Sequence, residues 1–487
     1  MKPRAFRDDI LDENRNEGVF MKYCIFGAGD MGMKLYARFC EKYDIVCFCD
    51  NSPEKQGGKY IGLPVIAPEE LERQDLNVII ACKSHFEIAR QLFLLGIKEF
   101  HLLRPDTMND VTYIDLSPYD DLTLNSKRIC VIETYGTGGS ARALMKFNPY
   151  SDLDIVQVEL GIYDTFDVFK KGCLYYAYFT SALFISQNSV YIHEKKCIEL
   201  WHGFPIKALD RVSNDQLVQT NVEYISDLLN NKRVAVCSYS RLYNFFMGCC
   251  RDVIQSKFCI TGMPRNDLLL LSDASANMRK LFGKISHTRI VLYAPTFREA
   301  TGYGYSGMKE GYFFAWHDYC LNDFDSFLQE HGILLLAKIH AAEVTELNIE
   351  ETKNIKLVTD EMLSNCDLLL YEILGAVDLL ITDYSSIAVD YLLIDNPIVY
   401  TIRDVDEYST KHGLMTEPFD AWAPGETVRD YKGLKAAISE ALFGEDRYKG
   451  KREQMRRIMH KYNDAESTRR VLDLARDILN NDTVISS

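Results

Sequence analysis

The clearest pattern in this chain is an apolar run that ends abruptly in polar residues between positions 379 and 400. The run LLIT predicts a buried parallel strand, and the polar cluster DYSS follows it at once. Ile387, Tyr391 and Leu392 then recur at helical spacing. Asp and Ser at such a junction are N-cap residues, so the free N–H groups of the helix would face the edge of the sheet where phosphates bind. An ordinary capped crossover is the alternative for this junction taken alone.

Three other segments repeat this change from an apolar strand to a polar cluster. RIVLY at residues 289–293 is followed by APTFRE, and ILLLAKI at residues 333–339 leads to His340, with Lys338 on the same face. Upstream, CIEL at residues 197–200 leads into WHGFPIK. Thr, Arg, Lys, His and Ser at strand ends, beside a capped helix, predict a binding site for a phosphorylated ligand.

A separate α/β pattern occupies the N-terminal part of the chain. The strand KYCIF is followed by Gly27, Gly29 and Gly32 at the start of a helix, and the next strand ends at Asp50. This is the context of a dinucleotide fingerprint, and these four residues are its candidate nucleotide-binding residues. No Tyr-x-x-x-Lys or other hydride-transfer pair follows, so we favour structural or regulatory use of this domain over NAD chemistry.

Composition restricts the function classes. A net charge of −15 argues against nucleic acid as a partner, because binding a phosphate backbone needs a basic face. No stretch approaches the ~18 uninterrupted apolar residues of a membrane span, and the charged N-terminus does not have the pattern of a signal peptide. The 14 cysteines include no Cys-x-x-Cys, so we expect a reduced cytoplasmic chain with no metal site.

Five ordered motifs, WHGFPIK, TGMPRND, APTFRE, KIH and TDYSS, resemble those of the CDP-glycerol glycerophosphotransferase family, with the resemblance covering residues 127–431. It implies an enzyme that transfers glycerol phosphate, or a related polyol phosphate, from a CDP-activated donor to an acceptor hydroxyl and releases CMP. Phe204, Ala208, Asp210 and Ala341 depart from residues common in that family, which leaves donor and acceptor identity more open. The N-terminal domain resembles the Rossmann-like domain attached to some sugar-modifying acyltransferases.

The fold class implied is α/β, with a GT-B-like pair of Rossmann-type domains and an additional N-terminal Rossmann-like domain. The expected segments are a tail (1–20), an accessory domain (21–104), a linker (105–126), an acceptor-side half (127–285), a donor-side half that binds the CDP-polyol (286–435) and C-terminal helices that pack back (436–487).

The resemblance also implies roles for individual residues. His202 is the candidate general base, with a structural histidine capping a turn as the alternative, and His340 would donate to the pyrophosphate or to the departing phosphate. The donor-binding candidates are Lys338, Thr296, Arg298, Arg265, Asn266, Asp383, Ser385 and Ser386.

Three of the acidic and basic residues have specific interpretations. Asp383 is interpreted as a cap or orienter beside the phosphates. Arg265, with Asn266, is either a donor contact or part of an interdomain hinge. Asp390, on the helix after Ser386, is interpreted as a solvated or capping acid.

The favoured function is teichoic-acid-like or capsular polymer synthesis with a lipid-linked or glycan acceptor. A nucleotide-sugar glycosyltransferase of GT-B fold is the first alternative. An NAD-dependent dehydrogenase or epimerase, based on the N-terminal domain, is the second, and it fails to explain the five motifs. CDP-glycerol and CDP-ribitol are both open as donors, as are primase and polymerase activity and the oligomeric state. No cofactor is firmly predicted. A lipid-linked acceptor would bring the protein to the inner face of the plasma membrane as a peripheral protein.

Overall fold

The computed structural model describes residues 21–103, 110–134, 138–160, 172–187, 195–214, 222–296, 312–339 and 349–485. The chain divides into two compact units. The first comprises Met1–Asn125 and Leu160–Thr180, and the second comprises Ser126–Glu159 and Ser181–Ser487.

Strands and helices alternate along most of the described residues. The strands are β1 (Lys22–Phe26), β2 (Asp44–Cys49), β3 (Lys59–Tyr60), β4 (Leu63–Ile66), β5 (Asn77–Ile80), β6 (Glu99–Leu103), β7 (Val111–Asp115), β8 (Asn125–Thr134), β9 (Asp154–Leu160), β10 (Ser181–Ser186), β11 (Cys197–Glu199), β12 (Ala235–Ser238), β13 (Phe258–Ile260), β14 (Arg289–Tyr293), β15 (Ile333–Ala337), β16 (Ile355–Leu357), β17 (Leu379–Thr382), β18 (Ile398–Thr401) and β19 (Glu426–Val428). The α-helices are α1 (Asp30–Phe39), α2 (His85–Leu94), α3 (Ser140–Lys146), α4 (Cys173–Thr180), α5 (Val222–Asp227), α6 (Arg241–Arg251), α7 (Pro264–Leu271), α8 (Ala274–Phe282), α9 (Leu321–Glu330), α10 (Asp360–Asn365), α11 (Ile387–Tyr391), α12 (Val405–Lys411), α13 (Phe419–Trp422), α14 (Tyr431–Phe443), α15 (Lys449–Met459) and α16 (Ser467–Ile485).

The first unit contains a twisted sheet whose seven described strands run in the order β3-β4-β2-β1-β5-β6-β7. The linker predicted at residues 105–126 was wrong in part, because β7 lies within it and pairs antiparallel with β6. Thr112 and Ile114 of β7 are buried, and the residues that alternate with them are partly exposed. This period of two is typical of a strand, but the Pro and Asp residues around it suggested a loop.

The predicted acceptor-side half (127–285) was also wrong in including Leu160–Thr180, which belongs to the first unit. Helix α4 packs its aromatic side chains on α2. Tyr178 stacks on Phe86 with ring centroids 3.8 Å apart, and the Tyr175 hydroxyl lies 2.9 Å from His85 Nδ1. The aromatic contacts therefore place helix α4 in the first unit, although it is far in sequence from α2.

The glycine-rich turn after β1 makes internal contacts. Gly27 has a φ of +122°, and a Cβ on Gly32 would lie 2.0 Å from the Gly27 carbonyl oxygen. The Asp50 carboxylate accepts hydrogen bonds from the Ala28 N–H at 2.8 Å and from Lys55 Nζ at 3.0 Å. The acid that would bind a ribose is thus held by groups of the protein itself, which favours the structural interpretation of this turn.

The second unit contains two six-stranded sheets, counted over the described strands, in the orders β13-β12-β11-β10-β8-β9 and β16-β15-β14-β17-β18-β19. Helix α16 places Leu472 and Ala475 in one apolar core with Ile129 of the first sheet. Helix α14 places Leu434 and Ile438 in the core of the second sheet. None of the helices in the described part of the chain combines the length and apolar character that a membrane span requires.

Replacing Gly32 by Ala should destabilise the first unit by about 1–3 kcal/mol or more, because the added Cβ would overlap the Gly27 carbonyl oxygen. Gly29→Ala is the matched control. No atom lies within 4 Å of a Cβ at Gly29, so its cost should stay below about 1 kcal/mol. Denaturant unfolding of both variants measures the difference. Equal stability of the two would contradict direct packing of α1 on the turn.

Candidate functional site

Several predicted donor-site residues follow parallel strands that end at one edge of the second sheet. Strand β14 pairs in parallel register with both β15 and β17, so the residues after these strands lie along the same edge. Thr296, Lys338 and Asp383 are among them, and Lys338 Nζ lies 3.1 Å from Asp360 Oδ1. Arg298 and His340, predicted for the same edge, lie outside the described residues.

Hydrogen bonds of buried side chains hold the turn after β17 in place. Asp383 is fully buried and accepts a hydrogen bond from the Thr296 N–H at 2.8 Å, which ties two strand ends together. The Tyr384 hydroxyl donates to Asp404 Oδ1 at 2.9 Å. Asp383 therefore holds the backbone, in line with its interpretation as an orienter.

Ser385 and Ser386 are partly exposed at this turn. Ser386 is the N-cap of α11, but its side chain makes no capping hydrogen bond. Helix α11 has only five residues before a 3₁₀ turn follows, so its dipole is weak compared with that of a long helix. An anion at this corner would therefore be bound mainly by the two serine hydroxyls and less by the helix terminus.

His202 follows β11 in a strained turn. Trp201 has a φ of +58°, in the left-handed region that bulky residues rarely occupy. Its N–H donates to Glu199 Oε1 at 3.1 Å, and its ring centroid lies 3.8 Å from that of His202. Backbone strain and ring contact together set the direction of the imidazole.

The structure brings the His202 turn and the serine corner together. A Cβ on Gly203 would lie 2.5 Å from Ser386 Oγ, so only glycine allows the two turns to approach this closely. Between them lies a cleft of about 140 Å³. Its lining residues are Trp201, His202, Gly203, Phe204, Pro205, Ile206, Lys207, Leu209, Tyr384, Ser385 and Ser386.

A buried ion pair joins the two halves of the second unit behind this cleft. Arg265 Nη2, on α7, lies 2.5 Å from Asp390 Oδ2, on α11, and the Tyr371 hydroxyl donates to the same oxygen at 2.6 Å. Arg265 Nη1 also donates to the His202 carbonyl oxygen at 2.5 Å. The interpretation of Asp390 as a solvated or capping acid was wrong, because its side chain is fully buried. For Arg265, the geometry favours the hinge over the donor contact.

The two residues after Arg265 differ in their side-chain contacts. Asn266 is buried, and its Oδ1 has no hydrogen-bond partner among the described residues. The Asp267 carboxylate accepts hydrogen bonds from the Ser467 and Thr468 N–H groups at 3.1 and 2.6 Å, and thereby caps α16. Within the described ranges, no group of three or more His, Cys, Asp or Glu side chains could hold a metal ion.

Burial, followed by the positive charges of Arg251, Arg265 and Lys207, lowers the pKa of His202 to about 3. A histidine with such a pKa is neutral at physiological pH. Its imidazole can therefore accept a proton without first losing one.

Sequence reasoning missed a backbone connection beside the cleft. Lys207 and Leu414 form an antiparallel bridge, and the Met415 N–H donates to the Ile206 carbonyl oxygen at 2.8 Å. The segment after His202 is thus paired with the segment after α12 in the other half. The paired residues are far apart in sequence, so no local pattern predicts the bridge. Gly413, which adopts a positive φ beside it, indicates a turn but not its partner.

Comparisons with known proteins agree with this geometry. The sequence profile described as CDP-Glycerol:Poly(glycerophosphate) glycerophosphotransferase matches residues 168–476, and the one described as C2185-like, N-terminal matches residues 19–103. The teichoic acid ribitol-phosphate polymerase TarK of Staphylococcus aureus (strain NCTC 8325 / PS 47) is 29% identical over 187 residues, which cover 37% of this chain and 33% of TarK. The teichoic acid glycerol-phosphate primase of Bacillus subtilis (strain 168) is 22% identical over 314 residues, which cover 62% of this chain and 76% of the primase.

Among solved structures, one of the wall teichoic acid polymerase TagF superposes with a TM-score of 0.57 at 18% identity, covering 76% of this chain and 92% of that one. This similarity confirms the expected α/β fold with a GT-B-like pair of domains. The chain spans only about a third of the length of TarK, at 33%.

Asp390→Asn should destabilise the second unit by about 3–5 kcal/mol, because it leaves the buried Arg265 guanidinium without its countercharge. Asp406→Asn is the matched control, since its ion pair with Arg429 is exposed and should contribute about 0–1 kcal/mol. Denaturant unfolding of both variants provides the measurement. A loss for Asp390→Asn no larger than for the control would contradict a joining role for the buried pair.

Proposed function

This chain belongs to the CDP-glycerol:poly(glycerophosphate) glycerophosphotransferase family, and from that membership we propose that it transfers a polyol phosphate from a CDP-activated donor to an acceptor hydroxyl and releases CMP. The observation that carries the proposal is the cleft in which His202 faces the Ser385–Ser386 corner across the two halves of the second unit. An acceptor approaching from one half would thus meet a donor phosphate held by the other.

The reaction needs a base on the acceptor side. The acceptor oxygen attacks the phosphorus that bears the polyol, a new P–O bond forms, and the bond from that phosphorus to the bridging oxygen of CMP breaks. CMP leaves with the electron pair. His202 takes the acceptor proton in its neutral form. Its pKa is low in the protein alone, and the negative charge of a bound pyrophosphate would raise it toward the neutral range in which a general base works best.

The donor side needs groups that hold the pyrophosphate and offset the charge that builds on CMP. The hydroxyls of Ser385 and Ser386 line the cleft, and Lys338 and Thr296 follow neighbouring strands at the same edge. Arg298 and His340 lie outside the described residues, and from their motifs we propose that they bind the donor phosphates. Asp383 serves these groups indirectly by fixing the backbone of Thr296.

We propose CDP-glycerol or CDP-ribitol as donor and a lipid-linked or glycan acceptor in teichoic-acid-like or capsular polymer synthesis. Relatives of this chain include a ribitol-phosphate polymerase and a glycerol-phosphate primase. A lipid-linked acceptor would bring a cytoplasmic protein to the inner face of the membrane. The first unit, with its internally bonded glycine turn, has a structural or regulatory part in this scheme.

Incubation with a panel of CDP-polyols and nucleotide sugars tests the reaction class. The protein should release CMP from CDP-glycerol or CDP-ribitol and leave the nucleotide sugars intact. His202→Ala should reduce this turnover by roughly 10²–10⁴, the range typical for the loss of a general base, while donor affinity stays near normal.

His331→Ala is the matched control for this experiment. His331 precedes β15 at the opposite edge of the sheet, where its ring contacts the Phe327 carbonyl oxygen, and its loss should leave turnover unchanged. Full turnover of His202→Ala would place the base elsewhere. Cleavage of a nucleotide sugar in place of the CDP-polyols would favour the glycosyltransferase alternative.

Replacing both Ser385 and Ser386 by Ala should weaken donor binding at least tenfold, because each hydrogen bond to a charged group contributes about 1.5–3 kcal/mol. The melting temperature should change little, since Ser386 makes no capping hydrogen bond. Calorimetric titration with the donor measures the affinity, and Ser326→Ala, on the exposed face of α9, is the control. Unchanged affinity would move the pyrophosphate away from this corner.

A further inference from the structure

Three side chains contact one another in sequence beside the cleft, in the first half of the second unit. The guanidinium carbon of Arg251, at the end of α6, lies 3.7 Å from the ring centroid of Trp201. The Trp201 ring centroid lies in turn 3.8 Å from that of His202. A permanent cation and the imidazole therefore both contact the same aromatic ring, the cation at a distance typical of a cation–π contact.

A buried carboxylate holds this cation in place. Arg251 Nε lies 2.5 Å from Asp210 Oδ2, and the two side chains are only 7% and 10% exposed. Asp210 itself has a φ of +42°, so two non-glycine residues near His202, Trp201 and Asp210, adopt left-handed backbone conformations. Such conformations are unfavourable and persist only where the surrounding contacts impose them.

Neither member of the pair reaches the cleft. The residues that line it include Trp201 and His202 but not Asp210 or Arg251. The pair therefore acts on His202 and not on the substrate: it contacts Trp201, whose N–H is held separately by Glu199, and the charge of Arg251 acts on the imidazole through space.

We propose that the Asp210–Arg251 pair is a positioning device for His202: it holds Trp201 in its left-handed turn and thereby orients the imidazole into the cleft. The inference rests on the proposed function in one respect, the use of His202 as the base. Asp210 and Arg251 are positioning residues, because they act through the indole and not on the substrate.

The pair also contributes to the electrostatic environment of His202. The cations that face the imidazole in the described part of the chain are Arg251, Arg265 and Lys207. The carboxylates nearby are those of Asp210 and Asp390, each bonded to one of the two arginines, and that of Glu199, which accepts the Trp201 N–H. Since a nearby cation opposes protonation, removing Arg251 should raise the pKa of His202 toward its ordinary value.

The central variant is the double substitution Asp210→Asn with Arg251→Met, which removes both charges together and leaves neither one buried alone. Replacing both members of a buried pair is often tolerated, whereas removing one is not. Arg251→Lys is the second variant, which keeps the charge but loses the planar stack on Trp201. Arg211→Met is the control, because Arg211 neighbours Asp210 in sequence but its ion pair with Asp252 is exposed.

Three readouts separate positioning from general damage. Unfolding curves report stability, CMP release reports kcat and the donor KM, and NMR titration of ¹³C-labelled histidine, with His202 assigned from the His202→Ala spectrum, reports its protonation. The NMR readout does not depend on activity.

For the double variant we expect kcat to fall about 10–100-fold, the scale that a misplacement of about 1 Å produces, with the donor KM within a factor of about two. The His202 signal should titrate at higher pH than in the unmodified protein, where it should stay neutral down to about pH 5 given its pKa of about 3. Arg251→Lys should lower kcat and move the titration little. The Arg211→Met control should change neither.

An unchanged kcat in both the double variant and Arg251→Lys would overturn the proposal. So would a double variant that loses kcat, donor binding and stability together without any shift of the His202 titration, since that is the behaviour of a purely structural pair. If the double variant does not fold, a kcat for Arg251→Lys equal to that of the unmodified protein is sufficient to overturn the proposal. If His202→Ala keeps full turnover while the titration shifts as expected, the base assignment fails and the positioning of His202 stands.

Discussion

The arrangement of the second unit depends on one buried ion pair, that of Arg265 with Asp390. The two residues lie on helices that follow strands of different sheets. Arg265 Nη2 lies 2.5 Å from Asp390 Oδ2, and both side chains are buried. Charges this deeply buried are stable only while each has its partner, so the pair fixes the distance between the two halves. The same guanidinium holds the His202 carbonyl oxygen. One side chain therefore contacts both the other half and the backbone of the candidate base.

The charged groups around His202 differ in sign from the protein as a whole. The chain carries a net charge of −15, yet the charges that act on His202 are those of the cations Arg251, Arg265 and Lys207. The carboxylates of Asp210 and Asp390 are bonded to the two arginines and do not line the cleft. Burial, together with these cations, keeps the imidazole neutral. Lys207, which lines the cleft, could attract a pyrophosphate at short range, and long-range steering would contribute little because salt screens it.

Much of the fold could be predicted from local pattern, and most of what was missed depends on contacts between distant residues. RIVLY and LLIT were predicted as strands because short apolar runs before polar clusters are a local signal, and both are strands, β14 and β17. Helix α4 was assigned to the wrong unit, because only its aromatic contacts with α2 reveal where it packs. Asp390 was misinterpreted for the same reason: its partner is 125 residues away, and nothing beside it in the sequence indicates burial. His202 and the serine corner were predicted as site residues because their motifs are contiguous, and the structure brings the two turns together at one cleft.

The two turns that resemble ligand sites differ in which residues adopt the left-handed conformation. In the first unit it is Gly27, which can do so at little cost, and the acid beside it is bonded to the protein's own amide and lysine. In the second unit it is Trp201 and Asp210, for which the same conformation is unfavourable. A glycine turn with its polar groups internally bonded needs no ligand to explain it. A strained tryptophan, held by a carboxylate on its N–H and by a cation on its ring, requires a compensating reason. The direction it gives to the neighbouring imidazole supplies one, in keeping with our proposal that the chemistry of the chain lies in the second unit.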